Sequence, residues 1–427
     1  MRKILLMIAI GVLITCSYYS FDLAAFPNGP NTKMIVAVIG LLWFTYDNLL
    51  RRNSRTVQLP QVMMIGLLFA GIYSIINLFA IEFNGTDDYS YANYITTFLV
   101  WAFSVYPAIA LIRITHGKVT LPILTYYLVA TTLFQCVTGL IMDNNPAFDE
   151  FNGKIVYWRR DFFDRIERIR CFSTALDSGG VRFALVLILI MAILSVDESV
   201  RCNKRATIYL LFAFFFITGV GSMVARTTST GTAIGLLLIA LQRFSHIGRP
   251  VRGGGYLFGA FIVLAVFVST VGVYLYNTDD YYHSMLRFAF EGFFNLVEEG
   301  EFTTGSTEVL ETMWVWPSDT KTWIIGSGIY DSWAYGTDIG YCRLILYSGL
   351  VGFVTFASSF VYYACYFSRK YPRYVWLFVS FLAMTFIVWM KVSTDILMIY
   401  AFFFWFTAEE SDHINGIFPE ATAESCE

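Results

Sequence analysis

Apolar runs recur along the whole of this 427-residue chain, each close to the length that crosses a bilayer and each bounded by charged or turn-forming residues. A hydrocarbon core of about 30 Å takes roughly 20 apolar residues in helical form. Twelve such runs are legible, at 4–20, 34–50, 60–81, 94–112, 119–142, 179–196, 206–223, 230–243, 256–276, 339–367, 374–390 and 393–407. Lipid offers no partner to a backbone amide, so segments of this kind must be helices or close into a barrel, and runs this long and apolar read as helices. The expected fold is an all-α polytopic integral membrane protein of about 12 transmembrane helices, with a single transmembrane domain over 1–427. Hydrophobic residues make up 57% of the chain and charged ones 14%, a balance that argues against a soluble globular domain.

Lys and Arg collect on the cytoplasmic side of short connections, which gives an independent test of the span pattern. With the N-terminus inside, the cytoplasmic segments hold Arg2, Lys3, Arg51, Arg52, Arg55, Arg113, Lys118, Arg201, Lys204, Arg205, Arg243, Arg249, Arg252, Arg369, Lys370 and Arg373. That is sixteen of the 29 basic residues, whereas the opposite connections are acidic and polar, as in EFNGTDDYSYAN from Glu82 to Asn93. Both termini are therefore expected in the cytoplasm, the polar stretch 409–427 forming a cytoplasmic tail. The first apolar run lacks a small-residue cleavage site and reads as an anchor. Seven scattered cysteines and four histidines show no ligand spacing, so neither a disulfide framework, a metal nor another cofactor is expected. Nucleic acid is not an expected partner; the lipid bilayer is.

Two external connections are long and carry most of the external cations. The first, 143–178, holds Lys154, Arg159, Arg160, Arg165, Arg168 and Arg170. These either pair with Asp149, Glu150, Asp161, Asp164 and Glu167 at helical spacing, or form an anion-binding surface in which Arg forks meet phosphate oxygens. The second, 277–338, begins with a stretch that places Tyr282, Met285, Leu286, Ala289, Phe293, Leu296 and Val297 on one face of an amphipathic helix. Ser306 opens a second short helix that Pro317 ends, and the two together suit a lid over a lateral groove. The aromatics of this loop, Tyr281, Tyr282, Trp314, Trp316, Trp323, Trp333 and Tyr335, are compatible with sugar stacking and equally with interface anchoring.

Further along, IIGSGIYDSWAYGTDIGYCRLILYSGLVG sets Asp338 and Arg343 where the long loop re-enters the membrane. Ionisable groups at that boundary are functional candidates, although Asp338 capping a helix and Arg343 snorkelling to the interface would explain them as well. Arg226 lies in the short turn VARTTSTG with no acidic neighbour in sequence, and Arg182 lies just inside the sixth span. Arg170, Arg182, Arg226 and Arg343 all fall at one external face, where converging cations would suit a pyrophosphate.

The pattern Gly326-x-Gly328, then Asp338, then Gly349-x-x-Gly352 resembles the bacterial O-antigen polymerase and O-antigen ligase superfamily. The turn with Arg226, ahead of TSTGTAIGLLLIAL, resembles that family's Ser-Arg turn, with Ala225 in place of the usual Ser. Where the ligase branch has a His, this chain has Asp338 followed by Ile339, which looks more like the polymerase branch. A ligase-like Arg ahead of the loop Trp is absent, STEVLETMW offering Glu308 and Glu311 instead. The resemblance implies a GT-C-like membrane glycosyltransferase of the bacterial inner membrane with its active site facing the periplasm or exterior. It would move a glycan from undecaprenyl pyrophosphate to a sugar hydroxyl of a second lipid-linked repeat unit, building O-antigen, capsule or exopolysaccharide. In that reading Arg170, Arg182, Arg226 and Arg343 hold the pyrophosphate, Arg226 stabilises the leaving group without a metal, and Asp338 accepts the proton or orients the acceptor. A chain-length regulator is the further partner such a system would take. Two alternatives stay open, an O-antigen ligase and a transporter of lipid-linked oligosaccharide or solute. Lys391 and Asp395, the charges nearest the last hairpin, read as a simple ion pair.

Overall fold

The computed structural model describes residues 1–27, 29–51, 59–158, 168–245 and 254–415. Its regular structure is helix; among the described residues the β-type pairing is one isolated antiparallel bridge, Leu23 to Val156. The first half contains α1 (Arg2–Tyr18), α2 (Thr32–Thr45, prolonged by a π-turn over Tyr46–Arg51), α3 (Gln61–Asn84), α4 (Tyr94–Ser104), α5 (Tyr106–His116), α6 (Leu121–Asn144), α7 (Pro146–Gly153) and α8 (Leu176–Val196). There follow α9 (Glu198–Cys202), α10 (Lys204–Val224), α11 (Thr227–Ser245) and α12 (Gly254–Thr278). The long loop carries α13 (Asp280–Ala289), α14 (Glu291–Glu298), α15 (Gly305–Thr312), α16 (Thr320–Ile324) and α17 (Ser332–Tyr335). The chain returns as α18 (Gly340–Lys370), α19 (Val375–Val388), α20 (Leu397–Phe404) and α21 (Ala408–Ile414).

Seven helices are long and apolar enough to cross a membrane: α3, α4 with α5, α6, α8, α10, α12 and α18. The protein is thus an α-helical polytopic membrane protein. The expected run 94–112 is two helices that meet at Val105, just before Pro107, whose missing amide cannot join an unbroken ladder. The expected run 393–407 is helical only over Leu397–Phe404, because Val392–Ile396 has no regular helical structure.

The centre of the bundle is α8, whose side chains from Phe183 to Leu194 are buried on every face. A helix apolar all round belongs in an interior. It is gripped most closely by α11, where a Cβ built on Gly231 would lie 2.3 Å from the Ala184 Cα. The small-residue character of TSTGTAIG therefore serves backbone approach between helices. At the other extreme, no part of the apolar window of α12 is buried. That helix leans on α10 through residues such as Phe261, whose ring centroid lies 5.1 Å from that of Phe215.

Connections fall alternately at two ends. At one end Asn84 meets Gly326, Leu23 meets Val156, and Arg226 meets the long loop. At the other, Arg113 pairs with Glu410, Asn415 bonds the Lys370 carbonyl, and Arg373 bonds the Val196 carbonyl. The lid differs from the single amphipathic face expected. The chain breaks at Phe290 (φ −117°, ψ 22°), so Ala289 is buried while Phe293, Leu296 and Val297 on α14 are exposed. The second lid helix begins at Gly305, capped by the Thr304 hydroxyl, and Ser306 is freed for another contact. Five described cysteines, Cys16, Cys136, Cys171, Cys342 and Cys365, are free thiols.

Candidate active site at the loop-covered end

The glycine pattern of the re-entrant stretch has a direct structural cause. Inside α18, Gly349 adopts φ 63° and ψ −178°, a conformation essentially reserved for glycine, and the helix breaks there. The break releases the Leu346 and Tyr347 carbonyls from the helical ladder. The loop ahead supplies their partners: Ser327 N donates to Leu346 O (2.7 Å), Ser327 Oγ to the same oxygen (2.9 Å) and Gly328 N to Tyr347 O (3.1 Å). Contact is so close that a Cβ on Gly326 would sit 2.2 Å from Tyr347 O, and one on Gly349 2.2 Å from Ile324 O. Asn84 Nδ2 and Thr86 Oγ1 bond the carbonyls of Gly326 and Gly328, tying the same loop to the end of α3. These glycines therefore dock a loop into a broken helix.

That docking fixes Tyr330 and, through it, Arg343. The guanidinium donates from Nε (3.3 Å) and Nη2 (2.9 Å) to Tyr330 O and lies 4.0 Å from the centroid of the Tyr330 ring. Asp338 is exposed and takes no hydrogen bond or ion pair among the described residues; the residue at the helix N-cap is Ile339, without a side-chain cap. The capping role for Asp338 is thus not seen. The first turn of α18 can lie against the segment after α19 because residue 340 is glycine, where a Cβ would meet Val392 O at 2.6 Å.

The segment Trp389–Ile396 is the structural centre of this end. Non-helical backbone within an apolar stretch needs partners from protein. Tyr341 N bonds Trp389 O, Trp389 Nε1 bonds Thr394 O, and Tyr91 OH bonds Ser393 O. Alternate side chains reach different elements. Lys391 pairs with Asp177 of α8 at 2.8 Å, an oxygen that also accepts from Thr227 Oγ1 of α11 at 2.9 Å. Ser393 meets the Tyr330 hydroxyl. Asp395 accepts from Tyr94 OH (3.1 Å) and Leu397 N (2.9 Å) and lies in the electrostatic reach of Lys33 and Arg182. The expected Lys391–Asp395 ion pair is absent, since each has gone to a separate helix.

The four predicted arginines divide into two classes. Arg170 pairs with Asp149 (3.2 Å) and Lys154 with Glu150 (3.3 Å), so these two cations of the first long loop are paired within it. Arg159, Arg160 and Arg165, with Asp161, Asp164 and Glu167, lie outside the described residues. Arg226, which lacks an acidic neighbour in sequence, finds Glu291 across the fold at 2.6 Å. It also donates to Phe288 O (3.1 Å) and Ser306 Oγ (3.0 Å), and sits 4.3 Å from the Phe288 ring centroid, with Arg168 4.9 Å from the same ring. Burial lowers its pKa from the ordinary arginine value, against the upward pull of Glu291. This arginine pins the lid to the turn between α10 and α11. In contrast, among the described residues Arg182 bonds only carbonyls, Tyr18 O (2.6 Å) and Ser178 O (2.7 Å), and Arg343 only that of Tyr330. Among the described residues neither has a carboxylate at ion-pair distance, nor does Lys33, whose Nζ lies 4.2 Å from the Trp101 ring centroid.

Lys33, Tyr94, Tyr330 and Ser393 are the residues that sequence reasoning passed over, and Asp395 was read only as the partner of Lys391. For Ser393 and Asp395 the signal was the cluster of polar residues in KVSTD between apolar runs; Lys33, Tyr94 and Tyr330 carried none. Among the described residues no group of three or more His, Cys, Asp or Glu is placed to hold a metal ion. Compared with family models, curated proteins and solved structures, the chain matches none.

Proposed function

We propose that this chain is a membrane glycosyltransferase that polymerises lipid-linked oligosaccharide repeat units, taking a glycan from a polyprenyl pyrophosphate and adding it to a sugar hydroxyl of a second lipid-linked unit. One observation carries the reading. Lys33, Arg182 and Arg343 stand at the loop-covered end without carboxylate partners, around a segment whose own acid, Asp395, is held by Tyr94. Cations left unpaired in a half-buried site favour a ligand that brings its own negative charge. In the reaction the acceptor hydroxyl attacks the anomeric carbon, the bond from that carbon to pyrophosphate oxygen breaks, and the carrier pyrophosphate leaves with the electron pair. Arg182 and Arg343 would stabilise the leaving charge, and the exposed carboxylate of Asp338 would accept the hydroxyl proton. Arg226 and Arg170 then serve the architecture of the site.

The reading also covers topology. With α1, α2, α11, α19 and α20 as further crossings, the seven long spans become twelve. The loop-covered end would face the exterior of a bacterial inner membrane, the termini the cytoplasm. A second reading, transport of an anionic glycolipid or solute, is favoured by the non-helical Val392–Ile396 in the approach to α20, since broken spans line translocation sites.

The test is a gel of surface polysaccharide from cells lacking this protein, complemented with wild type, Arg343→Ala or Asp338→Asn at matched membrane levels. Collapse of the ladder to single-repeat products in the null and both variants supports polymerisation. A full ladder retained on the carrier lipid means ligation, and an unaltered ladder in the null sinks the enzyme reading in favour of transport.

A further inference from the structure

The long loop carries a second aromatic device outside the site. Trp314, Trp316 and Trp323 form a ladder, with ring centroids 5.6 Å apart for the first pair and 5.8 Å for the second, the latter pair nearly parallel at 13°. Trp314 is 40% exposed and Trp316 44%. Three indoles in one patch on a loop need a partner, and both a sugar and a bilayer interface would accept them.

What lies beside the ladder decides between these. Lys321, two residues before Trp323, donates to Asn84 Oδ1 at 2.5 Å and lies 5.8 Å from the ring centroid of Phe83. Phe83 stacks on Phe79, and both belong to an exposed apolar stripe on α3 that runs Leu68, Ile72, Ile75, Phe79, Phe83. On the other side, Ile324 is exposed and its carbonyl abuts Gly349, next to the exposed Leu350 and Val351 of α18. The ladder therefore sits at the head of the seam between two spans, in line with the stripes those spans turn outward to lipid. We infer that the Trp314–Trp316–Trp323 ladder lies in the headgroup and carbonyl layer of the bilayer and anchors the long loop there, its partner being phospholipid. The anchor holds Ile324–Gly328 at the depth where it docks into the broken α18. It stands whether the site makes polysaccharide or transports.

Tryptophan fluorescence of the full chain in phosphatidylcholine nanodiscs tests this, with lipids brominated near the carbonyls or near the chain ends. The wild type is compared with the triple variant Trp314→Phe, Trp316→Phe, Trp323→Phe, which keeps ring packing. The difference between the two, the ladder's own emission, should be quenched more by shallow bromines than by deep ones and be poorly reached by aqueous acrylamide. Quenching by acrylamide but by neither bromine would place the ladder in water and overturn the proposal in favour of a saccharide platform. Stronger quenching by deep bromines would overturn it as well, by placing the indoles in hydrocarbon. An unchanged thermal unfolding midpoint and far-ultraviolet circular dichroism spectrum show that the variant is folded.

Discussion

Replacing Gly349 with alanine should undo the docking of the re-entrant loop. An L-residue at φ 63°, ψ −178° lies in a region that costs on the order of 1–3 kcal/mol for anything but glycine. The added methyl would also sit 2.2 Å from Ile324 O and 2.4 Å from the Ile324 carbonyl carbon, well inside contact distance, and these are backbone atoms with no rotamer to change. Relief comes by expelling the loop, which breaks the three hydrogen bonds from Ser327 and Gly328. At about 0.5–1.5 kcal/mol net for each bond, the three are worth roughly 1.5–4.5 kcal/mol, the docking stability that the strained residue gives up. Because the loop can lift away without unfolding the bundle, the effect belongs to local opening. Hydrogen exchange across 324–330 in nanodiscs should therefore accelerate by about tenfold or more, since 1.4 kcal/mol corresponds to a factor of ten. Gly259→Ala on α12, where nothing lies within 4 Å of the added Cβ, is the control and should leave this exchange unchanged. Retention of wild-type protection at Ser327 and Gly328 in Gly349→Ala would refute the account of the glycine pattern.

Other expectations follow from the same contacts. Glu410 accepts from Arg113 Nε and Nη2 and from the amides of Val119 and Thr407, so Glu410→Ala should destabilise the protein by about 1–3 kcal/mol in a thermal unfolding assay, by leaving a half-buried guanidinium and two amides without their acceptor. Burial raises the pKa of Glu410, but the bonds from Arg113 and the two amides outweigh it and hold the folded value below the ordinary glutamate value. Its contribution is therefore complete above the unfolded pKa and is lost as pH falls through the folded one; a Glu410→Gln protein should show a flatter stability profile on acidification below about pH 4. Arg226→Ala removes the pin on the lid, so limited proteolysis should cut 279–312 faster than in wild type while the spans stay protected; equal cutting rates would show that the lid is held elsewhere. Asp177→Asn leaves Lys391 with a neutral partner and should cost about 1–3 kcal/mol in stability, checked against Lys391→Met, which removes the charge itself.

Much of this architecture is written in hydrophobicity, which is why the long spans and their alternation were legible. The failures share a cause: residues were placed on helices where the backbone is not helical. Lys391 and Asp395 are one turn apart on a helix, but the chain between them is not helical, and the two side chains meet different helices. The lid's single apolar face was lost to one break at Phe290. For Arg226 and Arg182, sequence gave the charge and the end of the bundle, yet whether a carboxylate would reach them was decided by residues such as Glu291, far away in the chain. Gly326, Gly328 and Gly349 stood out by spacing, while their purpose appears only when loop and broken helix are seen together.

The central claim is that the unpaired cations of the loop-covered end handle a glycan pyrophosphate, and reconstitution addresses it most directly. Purified protein in liposomes would be given lipid-linked repeat units, with wild type, Arg182→Ala and Arg343→Ala compared at equal folded amounts. The account predicts chains of many repeats and release of free carrier pyrophosphate with wild type, and loss of both by at least tenfold in each variant. Full-length chains from both variants, or wild type that moves the glycolipid across the bilayer and joins no sugars, would contradict it.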